Sequence, residues 1–193
     1  SSCTYVQYIL VQAMAIKHTM QLLPALVFAL ALVLRASADA TETIHLKFYM
    51  HDIITGGPST PATAVQVIKG VVPLANDPTT HFGDMYVIDD LLTEGPDAAS
   101  PAVGRAQGFF QFASMTEYAL LLTANFVFTA GSHNGSSVAV LSRDVIFDTV
   151  RELPIVGGTG GLRGATGYGL LRTHSANTTT RNAVLKIDMY LRV

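Results

Sequence analysis

Cysteine and tryptophan are almost missing from this chain of 193 residues, which contains one cysteine, Cys3, and no tryptophan. A single cysteine excludes an intrachain disulfide and a metal site built from several thiolates. The fold therefore depends on its hydrophobic core, which a domain of about 150 residues can supply.

Charge is also scarce. Charged residues make up 13% of the chain, hydrophobic residues 49%, and the formal net charge is −2. So few charges exclude a disordered chain and a protein that coats nucleic acid, because a polyanion requires many lysines and arginines. The length favours one domain.

The N-terminal part has the order of a secretory signal. Residues 1–13 have no clear role, and we interpret them as an upstream extension. "MAIKHTM" then provides a charged start, "QLLPALVFALALVL" an apolar centre too short to span a membrane, and "RASADA" small residues for cleavage. We predict a signal peptide over residues 14–40 and a mature domain over 41–193; the alternative is a buried N-terminal helix. Secretion to the extracellular space would make the sequons at Asn134 and Asn177 candidate glycosylation sites.

Apolar and polar residues alternate with a period of two through most of residues 41–193. In "IHLKFYMHDI", Ile44, Leu46, Phe48 and Met50 share one face, which predicts a half-buried strand. The other predicted strands are "GDMYVIDDLLT", "GRAQGFFQFASM", "YALLLTANFVFTA", "SVAVLSRDVIFDTV", "GYGLLRTH" and "AVLKIDMYLRV". We expect loops at "TGGPSTPAT", "NDPTTHFGD" and "TEGPDAASPAVG", and a tight hairpin with two positive-φ residues at Asn134-Gly135. This pattern predicts an all-β sandwich or barrel.

The glycine-rich stretch "IVGGTGGLRGATGYG", residues 155–169, resembles a nucleotide-binding loop. A dinucleotide fingerprint that starts at Gly158 needs a third glycine at position 163, where the chain has Arg163. A strand rather than a helix is predicted to follow. We therefore expect these glycines to serve as bends between strands of a curved sheet.

Several polar residues occur where an inward-facing row ends. Asp52 continues the row of Phe48 and Met50, and Asp144 ends a similar apolar row. One of Asp89 and Asp90 must point inward in a regular strand. A buried carboxyl group of this kind can act as an acid or base, whereas the alternative is an exposed aspartate that caps a turn.

Arg105 and Arg151 are candidate partners for an inward carboxylate or an anionic ligand, and the alternative for both is a surface arginine. The sequence contains no recognisable zinc site, no Ser-His-Asp arrangement and no motif for a redox cofactor.

Five blocks together strongly resemble the plant dirigent family: "FYMHDI", "FGDMYVIDDLLTEGP", "VGRAQGFF", "NFVFTAGSHNGSSVAVLSRD" and "RELPIVGGTGGLRGATGYG". The resemblance covers almost all of residues 41–193. It implies an eight-stranded antiparallel β-barrel related in shape to allene oxide cyclase, a homo-oligomer (dimer or trimer) and an apoplastic location. It also implies a role in phenylpropanoid chemistry without a cofactor, in which the protein guides the stereoselective coupling of phenoxy radicals made from monolignols by a separate laccase or peroxidase.

The resemblance also assigns candidate residues. Asp52, Asp144, Arg151 and Thr173 match catalytic positions of lignan-forming members, while Phe110 and Phe112 stand where a tyrosine is expected. With Asp89, these two phenylalanines are our candidate substrate contacts. The missing tyrosine and the missing paired cysteines favour a phenolic substrate other than the one that gives pinoresinol. Two alternatives therefore stay open: a cofactor-free cyclase or dehydratase, and a defence-related binding protein.

Overall fold

A computed structural model describes residues 42–75 and 77–193. The predicted extension (1–13) and signal peptide (14–40) lie outside the described residues. The strands are β1 (Thr43–Asp52), β2 (Ala64–Ile68), β3 (Val72–Leu74), β4 (Asp77–Phe82), β5 (Met85–Thr93), β6 (Ala102–Phe112), β7 (Ala119–Phe128), β8 (Ser137–Val145), β9 (Arg151–Thr159), β10 (Thr166–Ala176) and β11 (Ala183–Arg192).

Eight antiparallel strands close into a barrel, which confirms the fold that the family resemblance implies. The order runs β1-β11-β10-β9-β8-β7-β6-β5, and β5 pairs with β1 through Tyr49↔Thr93, Met50↔Leu92 and His51↔Leu91. The short strand β2 pairs with the first half of β5, and β3 and β4 form a separate hairpin. Among the described residues, none belongs to a helix long and apolar enough to cross a membrane.

Alternate side chains of the strands fill one end of the barrel. Phe48 packs against Phe126 and Phe128 with ring centroids 5.6 and 5.9 Å apart. Leu162, from the turn between β9 and β10, is fully buried and packs into the same core. Because these large side chains occupy one end, the space that remains in the barrel lies towards the other end.

The structure corrects two predicted loops. The segment "NDPTTHFGD" contains strand β4, which is held by the buried carboxylate of Asp84 rather than by an apolar row of its own. Asp84 accepts hydrogen bonds from the backbone N–H groups of Gly70 (2.9 Å) and His81 (2.8 Å) and from the Gln66 side chain (2.8 Å). The glycine-rich stretch is likewise not a bend throughout, because residues 155–159 belong to β9 and the turn begins at Gly160.

The hairpin predicted at Asn134-Gly135 is also wrong in its turn type. Only Gly135 has a positive φ (80°), whereas Asn134 has φ −52° and ψ 132°. The amide of Ser136 donates to the carbonyl of His133 over 3.0 Å, which closes a type II turn. The longer connection, which includes a 3-10 turn at Gly131–His133, removes the need for a two-residue hairpin loop.

Candidate functional site

The unfilled end of the barrel contains a cavity of about 730 Å³. Its walls are mostly apolar, with side chains such as Ile88, Leu120 and Leu122. Five polar residues that line it are central to the site: Asp52, Asp90, Asp144, Arg151 and Thr173. A space of this size, apolar with a few polar groups, is typical of small-molecule sites, which are about 300–1,000 Å³.

Asp144, Arg151 and Thr173 lie together on one wall. Asp144 is the last residue but one of β8 and Arg151 is the first residue of β9, so the short connection between these strands brings the two side chains side by side. Arg151 Nη1 lies 3.1 and 3.4 Å from the two carboxylate oxygens of Asp144, and both side chains are at least 95% buried. Arg151 Nη2 donates to Thr173 Oγ1 on β10 over 2.8 Å. The predicted inward pairing of Arg151 with a carboxylate is therefore present.

The electrostatics of this wall combine two opposing effects. Burial raises the pKa of Asp144 above its ordinary value, and the charge and hydrogen bond of Arg151 oppose that rise. Arg151 Nε is buried and has no hydrogen-bond partner within the described part of the chain. Arg151 Nη1 and Nη2 are taken up by Asp144 and Thr173, so Arg151 holds these two residues together on the cavity wall.

Asp52 and Asp90 form a second acidic region of the same cavity. Burial is the main cause that raises the pKa of both residues, to about 7 for Asp90. Thr63 Oγ1 donates to Asp90 Oδ1 over 2.5 Å. Asp52 Oδ1 and Asp90 Oδ2 are buried without a hydrogen-bond partner among residues 42–75 and 77–193.

The structure corrects the choice between Asp89 and Asp90. Asp89 lies on the outer face of β5, where it accepts a hydrogen bond from Arg105 Nε over 2.5 Å, and its side chain is 54% exposed. Asp90 is the inward residue and is fully buried. Asp89 therefore does not line the cavity, and Arg105 serves an outer ion pair instead of an inward carboxylate.

Aromatic rings form part of the cavity wall. Phe110 stacks on Tyr86 with ring centroids 4.9 Å apart, and Phe112 packs edge-on against both Phe110 and Tyr118. The two phenylalanines line the cavity, and their contact with a substrate stays a prediction. Tyr86 and Tyr118 also line the cavity, although the sequence analysis does not identify them. They provide phenolic hydroxyl groups in a site where strand β6 has only phenylalanines.

Three loops meet at the cavity mouth. The Tyr118 hydroxyl donates to Asp77 Oδ2 over 3.0 Å, and Arg181 Nη2 donates to Thr79 Oγ1 over 3.1 Å. Phe147, from the β8–β9 connection, is 75% exposed and packs on Tyr118.

Both predicted glycosylation sites are exposed. Asn177 lies at this mouth, whereas Asn134 lies in a turn at the opposite end of the barrel.

Fold and site together define a small antiparallel barrel with acidic groups inside a ligand-sized apolar cavity. A family model described as dirigent-like protein matches residues 43–192, so the chain belongs to the dirigent family. Dirigent protein 21 of Arabidopsis thaliana is 43% identical over 147 residues, which is 76% of this chain and 75% of the relative.

Two further comparisons concern pterocarpan synthases. Pterocarpan synthase 1 of Glycine max is 38% identical over 148 residues, or 76% of this chain and 77% of the relative. A solved structure of a pterocarpan synthase dirigent protein matches with a TM-score of 0.71 and 35% identity, covering 79% of this chain and 88% of the other.

Proposed function

We propose that this protein binds phenolic molecules inside its barrel and directs bond formation between them with one handedness. The ligands are phenoxy radicals or quinone methides that a separate laccase or peroxidase produces from monolignols. The observation that carries the proposal is the buried Asp144–Arg151 pair, hydrogen-bonded to Thr173, on the wall of an apolar cavity of about 730 Å³.

The cavity supplies orientation. Radical coupling in free solution is fast and unselective, so a protein directs it by holding the partners in one relative position. Phe110, Phe112 and Tyr86 offer flat apolar surfaces for aromatic rings. Stacking on the aromatic wall does not by itself fix the position of a ligand ring. Hydrogen bonds from Asp144, Arg151 and Thr173 to the ligand oxygen fix that position.

The buried carboxyl groups supply proton transfer. A quinone methide becomes reactive when its carbonyl oxygen is protonated, and a raised pKa keeps a carboxyl group protonated to higher pH than an ordinary aspartate. Burial raises the pKa of both Asp52 and Asp144. These two residues are the acids of the proposed site, and the positive charge of Arg151 on the cavity wall supports negative charge on the ligand oxygen.

A second candidate function is ring closure or dehydration of a closed-shell phenolic substrate without any oxidase. Two observations favour it. The resemblance to lignan-forming members implies a tyrosine where this chain has Phe110 and Phe112. Relatives named pterocarpan synthase are 35–38% identical to this chain. Asp52 and Asp144 would serve this reaction as well, because dehydration needs a proton on the leaving hydroxyl group and ring closure needs one on the carbonyl oxygen.

Purified protein incubated with monolignols, with and without laccase, separates these functions. Chiral chromatography is expected to give racemic product with laccase alone and an enantiomeric excess when the protein is added. Asp144→Asn should remove the excess, whereas Glu117→Gln, in an exposed ion pair with Arg143, should preserve it. Racemic product from the wild-type protein would contradict directed coupling, and turnover of a closed-shell phenolic without laccase would establish the second function.

We further propose that the protein is a secreted homo-oligomer. Support for oligomerisation comes from a row of cross-strand neighbours on the outer face of the barrel. The row consists of Val65, Val87, Phe109, Thr123 and Leu141, and all of these except Thr123 are apolar. Val65, Val87 and Leu141 are 54%, 46% and 49% exposed, and an exposed row that is mostly apolar favours burial against a second copy. Light scattering should give a dimer or trimer, and Val87→Glu should give a monomer.

A further inference from the structure

Asp52 and Asp90 occupy opposing positions where two strands of the barrel part. In the β1–β5 pair, Met50 lies opposite Leu92 and His51 lies opposite Leu91, so the next position of the register sets Asp52 against Asp90. Both side chains line the cavity. The paired part of the two strands ends one position earlier, at His51 and Leu91, and the Thr63 hydroxyl bridges the two strand ends through His51 O and Asp90 Oδ1. The charge of Asp90 contributes to the raised pKa of Asp52, so the two carboxyl groups are close to each other.

The pair is not neutralised by a cation or a full set of hydrogen bonds. Thr63 satisfies one oxygen of Asp90, and the backbone carbonyl of His51 lies 3.3 Å from the same threonine hydroxyl. Asp52 Oδ1 and Asp90 Oδ2 remain buried and unpartnered within the part of the chain that the structure describes. Two opposed carboxylates cannot both ionise cheaply in such a place, so the pair retains a proton.

We propose that Asp52 and Asp90 act as one acid–base couple on the bound phenolic ligand, with Asp52 as proton donor and Asp90 as proton acceptor. This inference rests on the proposed function and adds Asp90 to its machinery. The Asp52 proton moves to the carbonyl oxygen of a quinone methide, which becomes a phenol. A hydroxyl group forms a C–O bond to the exocyclic carbon, and the proton that it loses goes to the Asp90 carboxylate.

The step is balanced in charge and needs no oxidant. A protonated Asp52 and an ionised Asp90 become an ionised Asp52 and a protonated Asp90, and transfer of one proton between the neighbouring groups restores the starting state. Asp52 also borders a shallower cleft of about 480 Å³ with His51 and Ser175. Asp52 therefore lies between the cavity and this cleft.

The surroundings favour one proton on the pair near neutral pH. Burial is the largest cause that raises the pKa of each residue, and for Asp52 the charge of Asp90 adds to it. For Asp90, the Thr63 hydrogen bond and the charge of Arg105 oppose the rise, while Asp89 adds to it. The other ionisable groups around the cavity are Tyr86, Asp77, Tyr118, Asp148, Arg181 and the Asp144–Arg151 pair.

Neighbouring aspartates provide a matched test. Carboxyl ¹³C NMR of the ligand-free protein should show two raised titrations in the wild type, the first near pH 7. Asp90→Asn should lower the Asp52 titration by at least about one pH unit, because the opposing charge is gone. Asp89→Asn, one residue away on the outer face, should leave both titrations in place. An unchanged Asp52 titration in Asp90→Asn would overturn the pair.

Catalysis is tested with the product assays described under the proposed function. Asp90→Asn should reduce the rate of directed product formation about 100-fold or more, as expected for loss of a general base. Thr63→Val keeps both carboxyl groups and should move the acidic limb of the pH–rate profile to higher pH, and it serves also if Asp90→Asn fails to fold. Equal rates for wild type and Asp90→Asn would overturn the couple. Absence of directed product from the wild type, with the titrations as expected, would instead contradict the proposed function.

Discussion

Arg151 binds both carboxylate oxygens of Asp144 at the point where β8 ends and β9 begins, and both side chains are buried. The pair therefore belongs to the barrel interior as well as to the cavity wall. Removing one member leaves the other without compensation in a medium of low polarity. This relationship makes the site and the stability of the barrel depend on each other.

Arg151→Met is expected to lower the free energy of unfolding by about 3 kcal/mol at pH 8, because Asp144 would be left as an unpaired buried carboxylate. Loss of the arginine raises the Asp144 pKa further. A raised folded-state pKa gives stability that is lost as pH rises, so the variant should recover part of its deficit at pH 5. Urea denaturation at both pH values measures this. The control is Arg143→Met, which removes an exposed ion pair with Glu117 and should cost less than about 1 kcal/mol.

Asp90→Asn is expected to change how stability depends on pH. The folded-state pKa of Asp90 is about 7 against an ordinary value of 3.8, so wild-type stability from this group is complete at acidic pH and is lost as pH rises through 7. Asparagine does not titrate. The variant should therefore gain at least about 1 kcal/mol relative to wild type between pH 4 and pH 8, since each pH unit contributes up to about 1.4 kcal/mol.

Thermal or urea unfolding across this pH range checks the prediction. Asp89→Asn is the control, because Arg105 lowers the pKa of Asp89 and this outer residue loses its small contribution as pH falls, not as it rises. An identical pH dependence in Asp90→Asn and wild type would show that the Asp90 carboxyl group does not hold its proton in the folded state.

The inward acids illustrate what alternation can predict. Phe48, Met50 and Asp52 form one row, and Val138, Val140, Ser142 and Asp144 another, so the phase of each strand is clear. Residues 85–92 give no such signal, because Tyr86, Ile88 and Leu92 on one face are matched by Met85, Val87 and Leu91 on the other. Only the pairing of β5 with β1 and β6 decides that Asp90 is inward.

Strand β9, which carries Arg151, shows why the sequence does not predict part of the site. Pro154 and the glycines after Val156 interrupt any strand pattern, yet Arg151–Thr159 pairs with both β8 and β10. The sequence pattern does not predict strand β4 for another reason. The backbone of β4 is fixed by a hydrogen bond to Asp84, which lies outside the strand. Long-range contacts of this kind leave no local periodicity in the sequence.

Tyr86→Phe is expected to weaken binding of a monolignol such as coniferyl alcohol by about 10-fold, the effect of losing one buried hydrogen bond. The Tyr86 ring lines the cavity, stacked on Phe110, and Arg181 lines the same cavity. The ring itself stays in phenylalanine, so stability should change little. Calorimetric titration measures the affinity. Tyr168→Phe, on the outer face, should bind as wild type does, and equal binding by both variants would exclude a role for the Tyr86 hydroxyl.

The two glycines of "VGG" in β9 should respond in opposite ways to alanine. A Cβ atom at Gly158 would lie 2.2 Å from the carbonyl oxygen of Leu162 and 3.0 Å from that of Ser137, both fixed backbone atoms. A Cβ atom at Gly157 would meet nothing within 4 Å.

Gly158→Ala must therefore push β9 away from β8 or displace the turn that carries the buried Leu162, at a cost of at least about 2 kcal/mol. Gly157→Ala should be neutral or stabilise by up to about 1 kcal/mol, because alanine restricts the unfolded chain. Urea denaturation of the two variants measures the difference. Equal stability would mean that β9 does not approach Leu162 so closely, and that these glycines are not explained by the packing of the barrel.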